Sequence, residues 1–254
     1  MAPALRTFLR TGCVLAVVVI ALFGVSGCTG DLLRFYEYEE EVYIDVDGGA
    51  VVNVNASVAS LVNLRGVELD TNPTAQIDRD VLRRAYTSPV TRVSKVGVWR
   101  RAGRRFVQVR VEVDDIAKLS QSPMFAWSTY GFASSGGELI FKQHLGAAQV
   151  KGVGNVGWDG GEVVAVRVHV PSRILYHNAG AANLKRGNIL VWEQTLADRQ
   201  AGKPLEIEVR MARTSILYST LKLFAVSGAL ALLVMAAIVY WVVTRAKGRN
   251  RPGA

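Results

Sequence analysis

From Leu223 to Thr244 the chain reads LFAVSGALALLVMAAIVYWVVT, 22 positions without a charge. As an α-helix this stretch is about 33 Å long, enough for a hydrocarbon core of about 30 Å with little tilt. Tyr240 and Trp241 stand where an interfacial aromatic belt falls, and Arg245, Lys247, Arg249 and Arg251 follow at once. The competing reading is a buried core helix. Such helices rarely stay uniformly apolar for more than about a dozen residues. The stretch therefore reads as a transmembrane helix over 223–244, with a basic cytoplasmic tail over 245–254.

The N-terminal end carries a second membrane signal. Arg6 and Arg10 form a basic start, and Val14 to Val25 (VLAVVVIALFGV) is apolar. Val25-Ser26-Gly27-Cys28 follows and resembles the bacterial lipobox, in which the cysteine thiol receives a diacylglyceryl group and becomes the new N-terminus after cleavage. The alternative is an uncleaved signal anchor. In the lipobox reading residues 1–27 are a lipoprotein signal peptide, Cys13 is discarded with it, and Cys28 is the lipidation site. Residues 28–222 are then an extracytoplasmic domain at the outer face of the cytoplasmic (inner) membrane. One acyl chain anchors marginally and a transmembrane helix effectively irreversibly, so the lipid orients more than it holds.

The formal charge of +9 invites a nucleic-acid partner until it is located. Seven of the thirty basic residues are Arg6, Arg10, Lys222 and the four of the tail. The remaining 23 face 21 acidic residues, and the balance of +2 removes the main support for nucleic acid. Both cysteines precede residue 29, so the folded part has no thiol for a disulfide or a thiolate metal site.

Within the domain Val42, Ile44 and Val46 alternate with polar residues. After Asp47-Gly48-Gly49, Val52, Val54 and Ala56 do the same, which makes a β-hairpin. Glu39, Glu40 and Glu41 before it read as a solvated strand start. Val58, Leu61, Val62 and Leu64 recur at helical spacing up to Gly66, and Pro73 to Tyr86 reads as a second helix. Val93–Trp99 and Phe106–Val113 form a long hairpin turning at Ala102-Gly103. Asp114-Asp115 caps one helical turn. Phe125–Phe132 and Leu139–Leu145 form another hairpin, and Val163–Val170, Asn188–Leu196 and Leu205–Met211 supply further strands. The expected class is α+β: a curved antiparallel sheet or partly open β-barrel of about eight strands with about two helices, plus the C-terminal span.

Three patterns bear on chemistry. Gly152-Val153-Gly154-Asn155-Val156-Gly157 satisfies G-x-G-x-x-G, but a dinucleotide site needs that turn to open a helix, and here Trp158-Asp159-Gly160-Gly161 and a strand follow; a loop is expected and no cofactor. His144, His169 and His177 lack partners at metal-ligand spacing, so no metal is expected, and His169 falls on the solvent-facing side of its strand. Trp99-Arg100-Arg101-Ala102-Gly103-Arg104-Arg105 places four arginines at a hairpin tip. Guanidinium forks suit phosphate, so Trp99, Arg100, Arg101, Arg104 and Arg105 are the candidate ligand-binding residues for an anionic lipid headgroup. The bland reading is a solubilising loop. No nucleophile elbow or placed base appears, and no catalytic residue is expected.

Pro171-Ser172-Arg173-Ile174-Leu175-Tyr176-His177-Asn178-Ala179, followed by Gly187-Asn188-Ile189-Leu190-Val191-Trp192, resembles the "P-x-x-(apolar)-x-x-x-N-A … G-x-x-(apolar)-x-W" stretch of LppM-like bacterial lipoproteins. The resemblance implies a lipobox, an extracytoplasmic α/β domain similar to lipid-binding folds, and a C-terminal span; it carries no catalytic residues. From the residues themselves, Pro171 ends a strand, Asn178 suits a turn and Trp192 anchors the next strand. The expected function is a membrane-anchored lipoprotein that binds membrane lipid, as an envelope lipid or lipid-linked molecule, without catalysis. The alternatives are a structural or assembly partner of a membrane protein complex, with Ser227 and Gly228 allowing close helix approach, and thirdly an envelope hydrolase.

Overall fold

The computed structural model describes residues 36–180, 184–185 and 188–249. The signal segment with Cys28, and Arg251 of the tail, lie outside the described residues. The α+β class holds, arranged as two sheets rather than one.

The first hairpin is β1 (Tyr38–Ile44) and β2 (Ala50–Ser57), in register from Tyr38↔Ala56 to Ile44↔Ala50. Its turn needs Gly48 at φ +94, where a Cβ would meet the Phe132 ring at 3.0 Å. β3 (Arg92–Arg101) and β4 (Arg104–Val113) form the long hairpin, and β4 pairs with β2. β5 (Ser128–Ser135) and β6 (Glu138–Leu145) follow two short 3₁₀ segments, Ile116–Gln121 and Pro123–Phe125. β7 (Val163–His169), β8 (Ser172–His177), β9 (Leu184–Lys185), β10 (Ile189–Thr195) and β11 (Leu205–Ser215) complete the strands. One sheet runs β3-β4-β2-β1-β7-β10-β9 and the other β5-β6-β11-β8. The expected antiparallel pattern breaks at one place: β1 and β7 are parallel, Tyr38 opposite Val164 and Tyr43 opposite His169.

One apolar cluster joins the sheets. Tyr38, Val42, Val54, Val109, Val166 and Leu190 face it from the larger sheet, and Phe141, Leu145, Ile207 and Val209 from the smaller. The space between the sheets is thus filled by side chains. Asn178 fastens one sheet to the other. Its Oδ1 accepts from Trp192 Nε1 at 3.1 Å and from the Glu208 amide at 3.0 Å, and its own amide nitrogen donates to Glu206 O at 2.9 Å. The turn and anchor roles read for Asn178 and Trp192 are therefore one hydrogen-bonded unit.

The helix α1 (Val58–Arg65) is buried all round, more than a one-sided apolar pattern implies. Residues 149–151 cover its outer side: Asn63 Nδ2 donates to Lys151 O at 2.7 Å, and the Gln149 amide to Leu64 O. It ends at Gly66 in the left-handed region, φ +66. The second helix, α2 (Arg79–Tyr86), begins six residues later than Pro73. Asn72 instead closes a turn, its side chain accepting from the Thr74 amide at 3.0 Å, and the carbonyls of Asp70 and Ala75 are taken by Arg105. Asp78 then caps the shorter helix.

The strands β8 and β9 and the short α3 (Leu196–Gln200) had no counterpart in the sequence pattern. Bulges against β11 break the alternation of β8, which leaves Leu175 and Tyr176 half exposed. β11 continues directly into α4 (Ile216–Arg249), whose first amide donates to Pro171 O at 3.2 Å. Ile216–Trp241 is long and apolar enough to cross a membrane, and the large apolar side chains described along it are exposed. The helix thus starts seven residues ahead of Leu223.

Candidate functional site

The arginine hairpin is built by a turn in which both central residues have positive φ, Ala102 at +46 and Gly103 at +72. This is the twist-matched kind of two-residue turn. Its register pairs Arg101 with Arg104, Arg100 with Arg105 and Trp99 with Phe106, and the last two rings stack 5.8 Å apart. Alternation therefore divides the four arginines. Arg105 is buried, donating to Ala75 O at 2.8 Å and to Asp70 O, so it clamps the 70–75 loop. Arg100 lies on the same side, near Thr74 O, while Arg101 is exposed at the tip.

Arg104 turns to the opposite side and meets Glu37. Nη1 donates to Glu37 Oε2 at 2.8 Å, and Trp158 Nε1 donates to Glu37 Oε1 at the same distance. Glu37 is 3% exposed, fixed by its place just before β1: its amide donates to Val163 O, and its carbonyl accepts from the Ser57 amide. The pair thus braces Arg104 against the sheet end.

Arg104 and Arg105 form one wall of a half-open cavity of about 490 Å³, within the size range of small-molecule sites. A second wall is the start of α1, where Ser57 Oγ accepts from the Ser60 amide and Val58 and Ala59 face the space. Asn155, Val156 and Gly157 close the third side and Thr71 and Pro73 the fourth. The G-x-G-x-x-G stretch is a loop, as its context implied. Its position opposite the first turn of a different helix is what the linear motif could not reveal. The surface combines apolar groups (Val58, Ala59, Pro73, Val156) with one braced guanidinium, a mixture suited to an amphiphile's polar end.

The cavity and the C-terminal helix sit at opposite ends of the larger sheet. Ala56, Tyr38 and Val164 are level in the ladder, while α4 is bonded to Pro171 beyond the far end of β7. Seven residue steps separate these levels, about 23 Å.

Two clusters escaped the sequence reading. Glu40, expected to be solvated, is fully buried and accepts from Tyr38 Oη (2.8 Å), Trp127 Nε1 (3.1 Å), Tyr130 Oη (3.3 Å) and Gln143 Nε2 (3.3 Å). Arg65 and Arg199 lie over the Trp127 ring, 4.1 and 5.5 Å from its centroid. Burial, and then the neighbouring Glu40, push the Tyr38 and Tyr130 phenols well above their ordinary range, so both remain donors. A signal was present: Glu40 shares its strand face with Tyr38 and Val42.

On the outer face, His169 is partly covered rather than free in solvent. Its Nε2 lies 2.9 Å from Glu41 Oε1 and its ring stacks on Tyr43 at 3.9 Å. Arg167 bridges Glu39 at 3.0 Å and Glu41 at 3.9 Å. Burial pushes Glu41 up, but hydrogen bonds from His169, Asn53 and Tyr43 outweigh it and bring the carboxyl down to about 2. Glu39 is raised by burial against the pull of Arg167. These are cross-strand pairs between β1 and β7. Among the described residues no group of three His, Cys, Asp or Glu is placed to hold a metal.

No protein-family model matches the chain, and no curated protein matches it. Among solved structures it is similar to the NMR structure of the folded domain of LppM from Mycobacterium tuberculosis, at 13% identity and a TM-score of 0.40, covering 75% of this chain and 99% of that one.

Proposed function

We propose that this chain is a membrane-held binding protein whose cleft takes the phosphate-bearing end of an envelope lipid or lipid-linked molecule, without chemistry of its own. In this reading Cys28 carries the N-terminal lipid, α4 spans the cytoplasmic membrane and the two-sheet domain stands on the extracytoplasmic face. The observation that carries it is the cleft itself: an apolar pocket mouth about 490 Å³ in volume with Arg104 held in place by Glu37. The filled space between the sheets directs the ligand beside the sheet rather than inside it. Arg100, Arg101 and Trp99 then supply the approach, and Arg105 supports the wall. The separation of cleft and α4 favours a headgroup that reaches well beyond the bilayer surface, or an amphiphile lifted out of it.

The test is purification of the full chain from its own membrane with mass spectrometry of the lipids it retains, beside Arg104→Ser. Arg105 is left intact because its loss would release the 70–75 loop. A phosphate-bearing amphiphile retained by the native chain and depleted at least about tenfold in the variant is expected. Equal retention by both proteins would refute the assignment.

A further inference from the structure

The charges around the cleft specify more than the sign of the ligand. Arg104 and Arg105 are the cationic side chains in its wall, and Glu37 is the acidic group bonded to Arg104. Arg105 gives its donors to two backbone carbonyls, Ala75 O and Asp70 O, and among the described residues hydrogen-bonds no carboxylate. The Asp70 carboxylate, which accepts from the Asn72 amide at 2.8 Å, and the Arg100 guanidinium both act on Arg105 through space, with opposite signs that offset each other. Arg104 uses Nη1 for Glu37, and among the described residues its Nε and Nη2 make no hydrogen bond. It therefore keeps two adjacent donors for a ligand oxygen pair. Two positive groups and one negative leave a balance of plus one. Arg101 stands outside at the tip, where water and salt screen it.

We infer that Glu37 sets the charge this cleft accepts, selecting a singly charged phosphodiester headgroup over a doubly charged phosphomonoester. The inference rests on the proposed function above. A dianion at Arg104 would lie about one residue's reach from a buried carboxylate that the wall cannot neutralise. A diester leaves no surplus charge, and its two unesterified oxygens match the two remaining donors. Glu37 acts through Arg104 and is a positioning residue. Trp158 holds its other oxygen and keeps it from turning into the cleft.

The experiment is calorimetric titration of the full chain in micelles of a phosphate-free maltoside detergent with two short-chain lipids, dihexanoyl phosphatidylglycerol (diester) and dihexanoyl phosphatidic acid (monoester). Near pH 8 the monoester is largely dianionic, and near pH 5 it carries one charge, since its second pKa lies at about 6. The native chain should bind the diester roughly tenfold more tightly at the higher pH, and the gap should close at the lower one as the monoester loses its second charge. Glu37→Gln should move the ratio toward the monoester by about the same factor, while Trp158→Phe should lower both affinities and leave their ratio. Should Glu37→Gln fail to fold, the pH comparison on the native chain decides alone. Equal affinities at both pH values, or an unchanged ratio in Glu37→Gln, overturns the charge selection while leaving the cleft as a lipid site. Binding of neither lipid overturns the proposed function itself.

Discussion

Replacing Glu40 by alanine removes the single acceptor for four buried donors. Tyr38, Trp127, Tyr130 and Gln143 all lose their partner at once, at distances now between 2.8 and 3.3 Å. Arg65 and Arg199 would remain over the Trp127 ring with their Nε atoms, and Nη1 of Arg199, unbonded and buried, as they already are. Removing one side of a buried charge group costs about 3–5 kcal/mol. Each orphaned donor is worth about 1–3 kcal/mol, but they share a single space and cannot be summed. The expected loss is about 4–5 kcal/mol, against about 2–3 kcal/mol for Glu40→Gln, which keeps one acceptor oxygen. Urea unfolding of the detergent-solubilised full chain, followed by tryptophan fluorescence, reads both. The double variant Glu40→Ala/Arg199→Met should recover at least about 1 kcal/mol relative to the sum, because it removes a cation left without its counter-charge. A loss under about 1 kcal/mol in Glu40→Ala, or strict additivity in the double variant, would show that Glu40 does not hold the cluster together.

The Glu41 carboxyl, ordinarily near 4.5, is brought down to about 2 in the folded chain. A depressed carboxyl stabilises above its unfolded value and loses that contribution as pH falls toward its folded one, so the window runs from about 4.5 down to about 2. Native and Glu41→Gln proteins should differ by about 2–3 kcal/mol at neutral pH and converge near the bottom of that window; a constant difference in urea midpoint across it would contradict the assignment. Asn178→Ala removes the acceptor for Trp192 Nε1 and the Glu208 amide and should cost about 2–3 kcal/mol in the same unfolding assay, with the quantum yield of Trp192 altered; stability within about 0.5 kcal/mol of native would separate the two sheets energetically.

Strand positions were legible where one face is buried and the other wet. The pattern of β3 and β4, with Val96, Val98, Val107 and Val109 against the core, is carried by period two and a turn that accepts positive φ. The long apolar C-terminal helix was legible from length and composition alone. What escaped has a common origin in contacts remote along the chain. Glu40 was assigned to solvent by its acidic neighbours although three of its four partners lie 87 to 103 residues away. The late start of α2 depends on Arg105 taking two carbonyls of the preceding loop, which no local propensity encodes. β8 lost its period to bulges. At the cleft, the arginine cluster was visible but its division was not, because Glu37 and Trp158 approach Arg104 from two separate segments.

The parallel pairing of β1 with β7 bears on the order in which the molecule can mature. β1 lies inside the larger sheet, one edge filled by β2 a few residues on, the other reserved for a strand that ends at His169. In a chain that emerges from its N-terminal end first, that second edge stays bare until more than a hundred further residues have followed. Closure is therefore a late, all-or-nothing event, and the waiting backbone is open to strand addition from other chains.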